Sequence, residues 1–202
     1  MNRINKPSAT LALTIAAALS LAGCSASSAP AEEPPLAGAA IGGDFALTNS
    51  KGETVRWGDF AGKYRIVYFG YAFCPDVCPT DMQRVAQGLK ELAAKDPAKA
   101  ARIAAMFITV DPERDTQEVV GEFAAAFSPD IVGLTGTPDQ IAAAARAFKV
   151  FYQKGEAQPG GGYLVDHSNV TYLFGPEGEP IATLPTDKGA KAVAAELDRW
   201  VS

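Results

Sequence analysis

Cys74 and Cys78 stand with three residues between them in the run Cys74-Pro75-Asp76-Val77-Cys78-Pro79. Thiols at this spacing have three uses: a structural disulfide, a redox dithiol, or two ligands of a metal. A structural staple is the weakest reading, because closing so short a loop stabilises by only about 2 kcal/mol in the chain-entropy account. A redox pair more commonly has two intervening residues, and the extra one loosens the pair without forbidding a disulfide. His167, the one histidine of the chain, follows 89 positions after Cys78. Two thiolates and an imidazole form a soft donor set suited to copper, trigonal S₂N for Cu(I) with an added oxygen ligand for Cu(II). A structural zinc site would need four protein ligands, and no further cysteine or histidine is at hand. Asp166 is placed to orient the other ring nitrogen of His167, or to be a solvated carboxylate at a strand end. Asp76 is placed to tune charge near the thiolates, though a turn-stabilising role suits it better. Met82 fits the apolar stripe of a helix rather than a thioether ligand. Asp111, Arg114 and Asp115 fall at a strand end, and helix capping accounts for Asp115.

These residues need elements to hold them. Tyr64-Arg65-Ile66-Val67-Tyr68-Phe69 is short, β-branched and aromatic, and reads as a buried strand leading into the cysteines. Beyond them, Met82, Val85, Leu89 and Leu92 recur at helical spacing, and Thr80 with Gln83 predicts a capping box at the helix start. Pro75 and Pro79 disfavour helical backbone at the residues before them, which places both thiols on the turn. Tyr71 and Phe73 would shield that turn from water and offer a docking surface. Strand, dithiol turn and helix form the thioredoxin-like layout.

The rest of the chain extends the same plan. Phe45 to Trp57 reads as a hairpin turning at Ser50–Glu53, and residues 102–110 as a second core strand ending at Asp111-Pro112. Helices are predicted from Thr116-Gln117 and from Thr137-Pro138-Asp139-Gln140, with a short strand at Ile131–Leu134 between them. Residues 152–166 turn polar and glycine-rich, predicting a mobile loop before His167. Two strands joined by Gly175–Gly178 and a last helix through Val193, Leu197 and Trp200 close the chain. The fold class is therefore α/β, thioredoxin-like, with an N-terminal hairpin extension and an inserted loop before the C-terminal hairpin. Its crevice lies at the carboxyl ends of the strands.

Of the 202 residues, the first 23 have the plan of a secretory signal: Arg3 and Lys6, then an apolar stretch from Ala9 to Leu21. That stretch is short of the roughly 20 residues a membrane-spanning helix needs. Leu21-Ala22-Gly23-Cys24 resembles the lipobox of bacterial lipoproteins, in which the cysteine is lipid-modified and anchors the mature chain. Residues 24–40 then form a flexible linker, and residues 41–202 the domain. Without the leader, the chain counts 16 basic and 23 acidic side chains, a net −7 that argues against a nucleic-acid partner. A monomer is expected.

The runs YFGYAFCPDVCPTDM, VDPERDT and VDHSNVTYLFGPEGE resemble the Sco/SenC family of thioredoxin-like copper proteins over residues 41–200. The resemblance implies a copper metallochaperone on the outer face of a bacterial membrane, delivering copper to the binuclear centre of cytochrome c oxidase. It implies Cys74, Cys78 and His167 as ligands of both Cu(I) and Cu(II), with the cysteines able to form a disulfide. Partners would be the copper-bearing oxidase subunit and another extracytoplasmic copper carrier or a thioredoxin-like reductant. An enzyme-class alternative is a thiol–disulfide oxidoreductase acting on the copper-accepting subunit through Cys74 and Cys78. A third reading is a copper or redox sensor.

Overall fold

The structure, a computed structural model, describes residues 1–2 and 32–202. Cys24, residues 3–23 of the signal segment and residues 24–31 of the expected linker lie outside the described residues. Residues Glu33–Ser202 form one compact unit. It begins eight residues before the boundary expected from composition. The apolar Leu36 and Ile41 pack against the core, and the Leu36 N–H donates to the Ile181 carbonyl at 2.9 Å. A stretch rich in alanine and proline is thus held by Leu36, Ile41 and a backbone bond to Ile181. Among the described residues, no helix is long and apolar enough to cross a membrane.

At the centre lies β3 (Tyr64–Gly70), buried at every position. It pairs in parallel with β4 (Ile103–Thr109) and antiparallel with β8 (Thr171–Phe174). Burial on both faces and both edges explains its unbroken apolar and aromatic sequence. The sheet continues through β4 to β5 (Ile131–Thr135) in parallel, and through β8 to β9 (Pro180–Thr183) antiparallel. The N-terminal hairpin, β1 (Ala46–Asn49) and β2 (Thr54–Arg56), joins the far edge by pairing β1 with β5, so it belongs to the seven-stranded sheet. Parallel strands separated by helices are the thioredoxin-like arrangement that the strand and helix pattern predicts.

Helix α1 (Val77–Lys95) follows the dithiol turn and packs on α5 (Ala190–Trp200). It starts three residues before the predicted capping box. Asp76 is the N-cap residue without a side-chain cap, and Thr80 instead donates its hydroxyl to the Asp76 carbonyl at 3.0 Å. Pro79 is tolerated as the third helical residue because the first turn has N–H groups with no intrahelical acceptor. Cys78 is consequently helical, and only Cys74 stays on the turn. A short helix, α2 (Pro97–Ala101), capped by the Asp96 carboxylate, leads to β4 and has no counterpart in the sequence reading. Two predicted starts match: α3 (Gln117–Ala125) has Thr116 as its cap, and α4 (Pro138–Ala147) opens on a Thr137–Gln140 capping box.

The expected mobile loop before His167 is a second sheet, β6 (Tyr152–Ala157) paired antiparallel with β7 (Tyr163–His167). Its polarity reflects exposure, since β6 presents almost every side chain to water. Gly160, Gly161 and Gly162 have φ of 98°, 96° and 81°, which suits a tight reversal open only to glycine at low cost. Polar composition was therefore a sign of an exposed hairpin.

Within the core, Trp57, Phe69, Phe148 and Phe174 pack edge to face or tilted, with ring centroids 5.2–5.4 Å apart from one to the next. Phe148 touches every other member and is fully buried. Phe148→Ala should lower the unfolding free energy by about 3–5 kcal/mol, read by urea denaturation. A loss below about 1 kcal/mol would mean that the cluster collapses into the space.

Candidate metal centre

Topology brings the three donors together. β3 releases the dithiol turn at its carboxyl end, and β8 runs antiparallel to it with Thr171 opposite Tyr68. The residues just before β8 therefore arrive at the same end of the sheet, and His167 is the last residue of β7. The donor atoms of Cys74, Cys78 and His167 all lie within 4.8 Å of one another. Among the described residues no other group of three such side chains could hold an ion.

Both cysteines are free thiols, with Cys78 fully buried and Cys74 9% exposed. The Cys78 sulfur lies 3.2 Å from His167 Nε2, and His167 Nδ1 lies 3.1 Å from the Ser168 carbonyl oxygen. A carbonyl only accepts, so Nδ1 carries the ring proton and the Nε2 lone pair faces the sulfur. That is the tautomer a metal ligand requires. Tyr68 and Tyr71 meet the imidazole edge-on at 6.3 and 5.8 Å and fix its plane.

The two thiols differ in charge. A hydrogen bond from Cys78, joined by the main-chain N–H groups of Asp76 and Cys78, outweighs burial and lowers the Cys74 thiol to about 4. The Cys78 N–H lies 3.5 Å from the Cys74 sulfur. Position at a helix N-terminus favours the same thiolate. Cys78 is pushed up by its bond to Cys74 and by burial. One proton is thus shared by the pair and held at Cys78.

The remaining candidates divide. Asp166 is exposed, and Ser168 rather than Asp166 meets the second ring nitrogen. Asp76 has an exposed carboxylate that caps nothing, and its contribution runs through its N–H to Cys74. Met82 is buried in the helix's packing face. Tyr71 is buried on the site, whereas Phe73 is 52% exposed beside it. Asp115 is not a cap. It is fully buried, and accepts from the Ala72 N–H at 2.8 Å and from the Thr109 hydroxyl at 2.7 Å, which ties the dithiol turn to the end of β4.

Two contributors have no sequence signal strong enough to name them. Asp81, 5% exposed, accepts from the Tyr68 hydroxyl at 3.2 Å, and that hydroxyl also faces Cys78. Gly70 lets β3 pass the site, because a Cβ there would sit 2.8 Å from the Cys78 sulfur and 2.8 Å from Tyr68 Cε1. Its place in the quoted YFGYAFC run was visible, but the close approach was not. Gly70→Ala should cost about 1–3 kcal/mol in stability and displace Cys78, accelerating its alkylation by a thiol reagent. Unchanged stability and alkylation would show that the contact yields without moving the sulfur.

Comparison with known proteins follows this geometry. The SCO1/SenC family model matches residues 33–202. Protein SCO1 homolog, mitochondrial, of Homo sapiens is 36% identical over 157 residues, 78% of this chain and 52% of that protein. Protein SenC of Rhodobacter capsulatus is 44% identical over 142 residues, 70% of this chain and 62% of that protein. The solved structure of Bradyrhizobium japonicum ScoI with copper bound superposes with a TM-score of 0.71 at 34% identity, covering 80% of this chain and 99% of that one. The chain spans about half the length of the first curated relatives it matches. With the family model matched over most of its length, this chain belongs to the SCO1/SenC family.

Proposed function

We propose that this chain is a copper metallochaperone that holds copper through Cys74, Cys78 and His167. The observation that carries the reading is the convergence of two sulfurs and a free imidazole lone pair within 4.8 Å. The set is soft, among the described residues it has no fourth donor of the kind structural zinc demands, and a copper-bound relative shares the fold. The recipient, the binuclear copper centre of cytochrome c oxidase, is inferred from the family resemblance alone. So is the extracytoplasmic location, with Cys24 as the lipid anchor.

Cu(I) tolerates two thiolates alone, more weakly than with the imidazole added, while Cu(II) requires the imidazole as well. His167→Ala should leave a weaker, two-coordinate Cu(I) site and abolish Cu(II) binding with its sulfur-to-copper absorption. Retained Cu(II) affinity would remove His167 from the ligand set.

Proton balance gives an independent check. Above about pH 4 Cys74 is already a thiolate, so Cu(I) uptake near neutrality should release about one proton, from Cys78. Apparent affinity then rises about tenfold per pH unit through the weakly acidic and neutral range. Below about pH 4 two protons must leave, and the dependence steepens. Release of two protons at pH 7, measured by titration in buffers of different ionisation enthalpy, would contradict the assignment of the shared proton.

A thiol–disulfide exchange reading is favoured by one observation, the lowered Cys74 thiol beside a second thiol. Here Cys74 would attack a partner disulfide and Cys78 would resolve the mixed disulfide, transferring two electrons and leaving Cys74–Cys78 oxidised. That chemistry does not use His167. Full physiological activity in His167→Ala would select it over delivery.

A further inference from the structure

The hairpin that carries His167 is hydrogen-bonded to no strand of the main sheet. A two-stranded ribbon of mostly exposed residues is marginally stable by itself. Something outside the hairpin must therefore hold its last residue within 3.2 Å of the Cys78 sulfur.

Part of the hold comes from Val165, buried in the core with its backbone bonded to Tyr71, and from the Tyr68 and Tyr71 rings on the imidazole. The side-chain hydrogen bonds to the far end of β7 come from one turn, residues 111–115, at the end of β4. Arg114 donates from Nε to Asp111 Oδ2 at 2.5 Å and from Nη1 to the Tyr163 carbonyl at 2.9 Å. Its guanidinium lies 3.7 Å from the centroid of the Tyr163 ring. Tyr163 closes the circuit by donating its hydroxyl to Asp111 Oδ1 at 2.7 Å. Asp111 is 4% exposed, so both its carboxylate oxygens are used in a largely water-free setting, where charge-assisted bonds are at their strongest. The nearby Lys154–Glu113 pair is exposed on both sides and adds little. On its other side the same turn grips the dithiol loop, with Arg114 5.2 Å from the Phe73 ring and Asp115 receiving the Ala72 N–H.

We infer that Asp111, Arg114 and Tyr163 form a latch that positions His167 and so sets the balance between two-donor and three-donor binding at this site. Cys78 is held by α1 and the Cys74 turn by the Asp115–Ala72 bond, so the thiols keep their main holds when the latch of Asp111, Arg114 and Tyr163 is loosened. The imidazole depends on it, because Tyr163 and His167 are the two ends of β7. Loosening the latch therefore frees one donor of three. The effect on binding rests on the copper reading above, whereas the effect on the hairpin does not.

The test uses the purified chain with Arg114→Gln and, separately, Tyr163→Phe, which removes only the hydroxyl and keeps the ring beneath the guanidinium. Hydrogen exchange without copper should show the β6–β7 amides exchanging about tenfold faster in Arg114→Gln, with β3 and β4 unchanged, and a smaller rise in Tyr163→Phe. Cu(II) affinity should fall about tenfold in Arg114→Gln while Cu(I) affinity stays within about threefold. Unchanged hairpin exchange in both variants would overturn the latch, as would equal losses for Cu(I) and Cu(II). Were His167→Ala to keep Cu(II) affinity, the copper reading would fall, and the exchange arm would still decide the latch.

Discussion

The antiparallel pairing of β8 with β3 is the constraint on which the centre depends. Parallel strands alone would send successive loops to the same end only after a helical crossover. By reversing direction, β8 starts where β3 stops, so a residue 89 positions from Cys78 arrives in hydrogen-bond range of it. The register matters as much as the direction: a slip of one residue would turn every β8 side chain to the opposite face and carry the His167 backbone with it. Burial of β3 on both faces makes such a slip costly.

The centre itself is a compromise between burial and charge. Cys78 keeps its proton because it bonds to Cys74 and because a buried thiol resists ionisation. Cys74 escapes because Cys78 hydrogen-bonds to it and because the turn and the first helical residues aim N–H groups at it. The result is an unsymmetrical pair, one sulfur ready as a donor and one that must give up a proton first. Such a site discriminates against ions that bind weakly, since only a strong thiolate binder displaces the Cys78 proton. The same asymmetry suits disulfide exchange, which is why the donor set alone does not separate delivery from redox chemistry and His167 does.

Support for the donors is uneven, and this has a functional sense. The cysteines rest on the central strand and the longest helix, with Asp115 pinning the turn from within the core. The imidazole rests on a ribbon secured by a few side-chain contacts. Under the delivery role proposed above, a third donor on the less securely held element would serve both capture and release.

The sequence by itself determined the chemistry and much of the framework. Cys74 and Cys78 stood out from residue type and spacing, His167 joined them as a candidate ligand from its place after the glycine-rich stretch and from the family resemblance, and β3, β4, β5, α3 and α4 came from period, caps and breakers that act over a few residues. What it misjudged were features whose cause is not local. Residues 152–166 read as a mobile loop because polarity marks exposure, and an exposed hairpin has the same composition. Asp115 read as a cap because an acid before a threonine at a helix start is common, yet its partner is Ala72, 43 positions away. Asp166 stood beside the histidine in sequence, but alternation along β7 turned its side chain to solvent and left Nδ1 to Ser168. Gly70 carried no signal because its role is the absence of an atom where another segment passes. Local propensity and donor chemistry are written in the order of residues; which thiol holds the proton, which tautomer the ring adopts and what clamps the hairpin follow from distances that only the closed sheet creates.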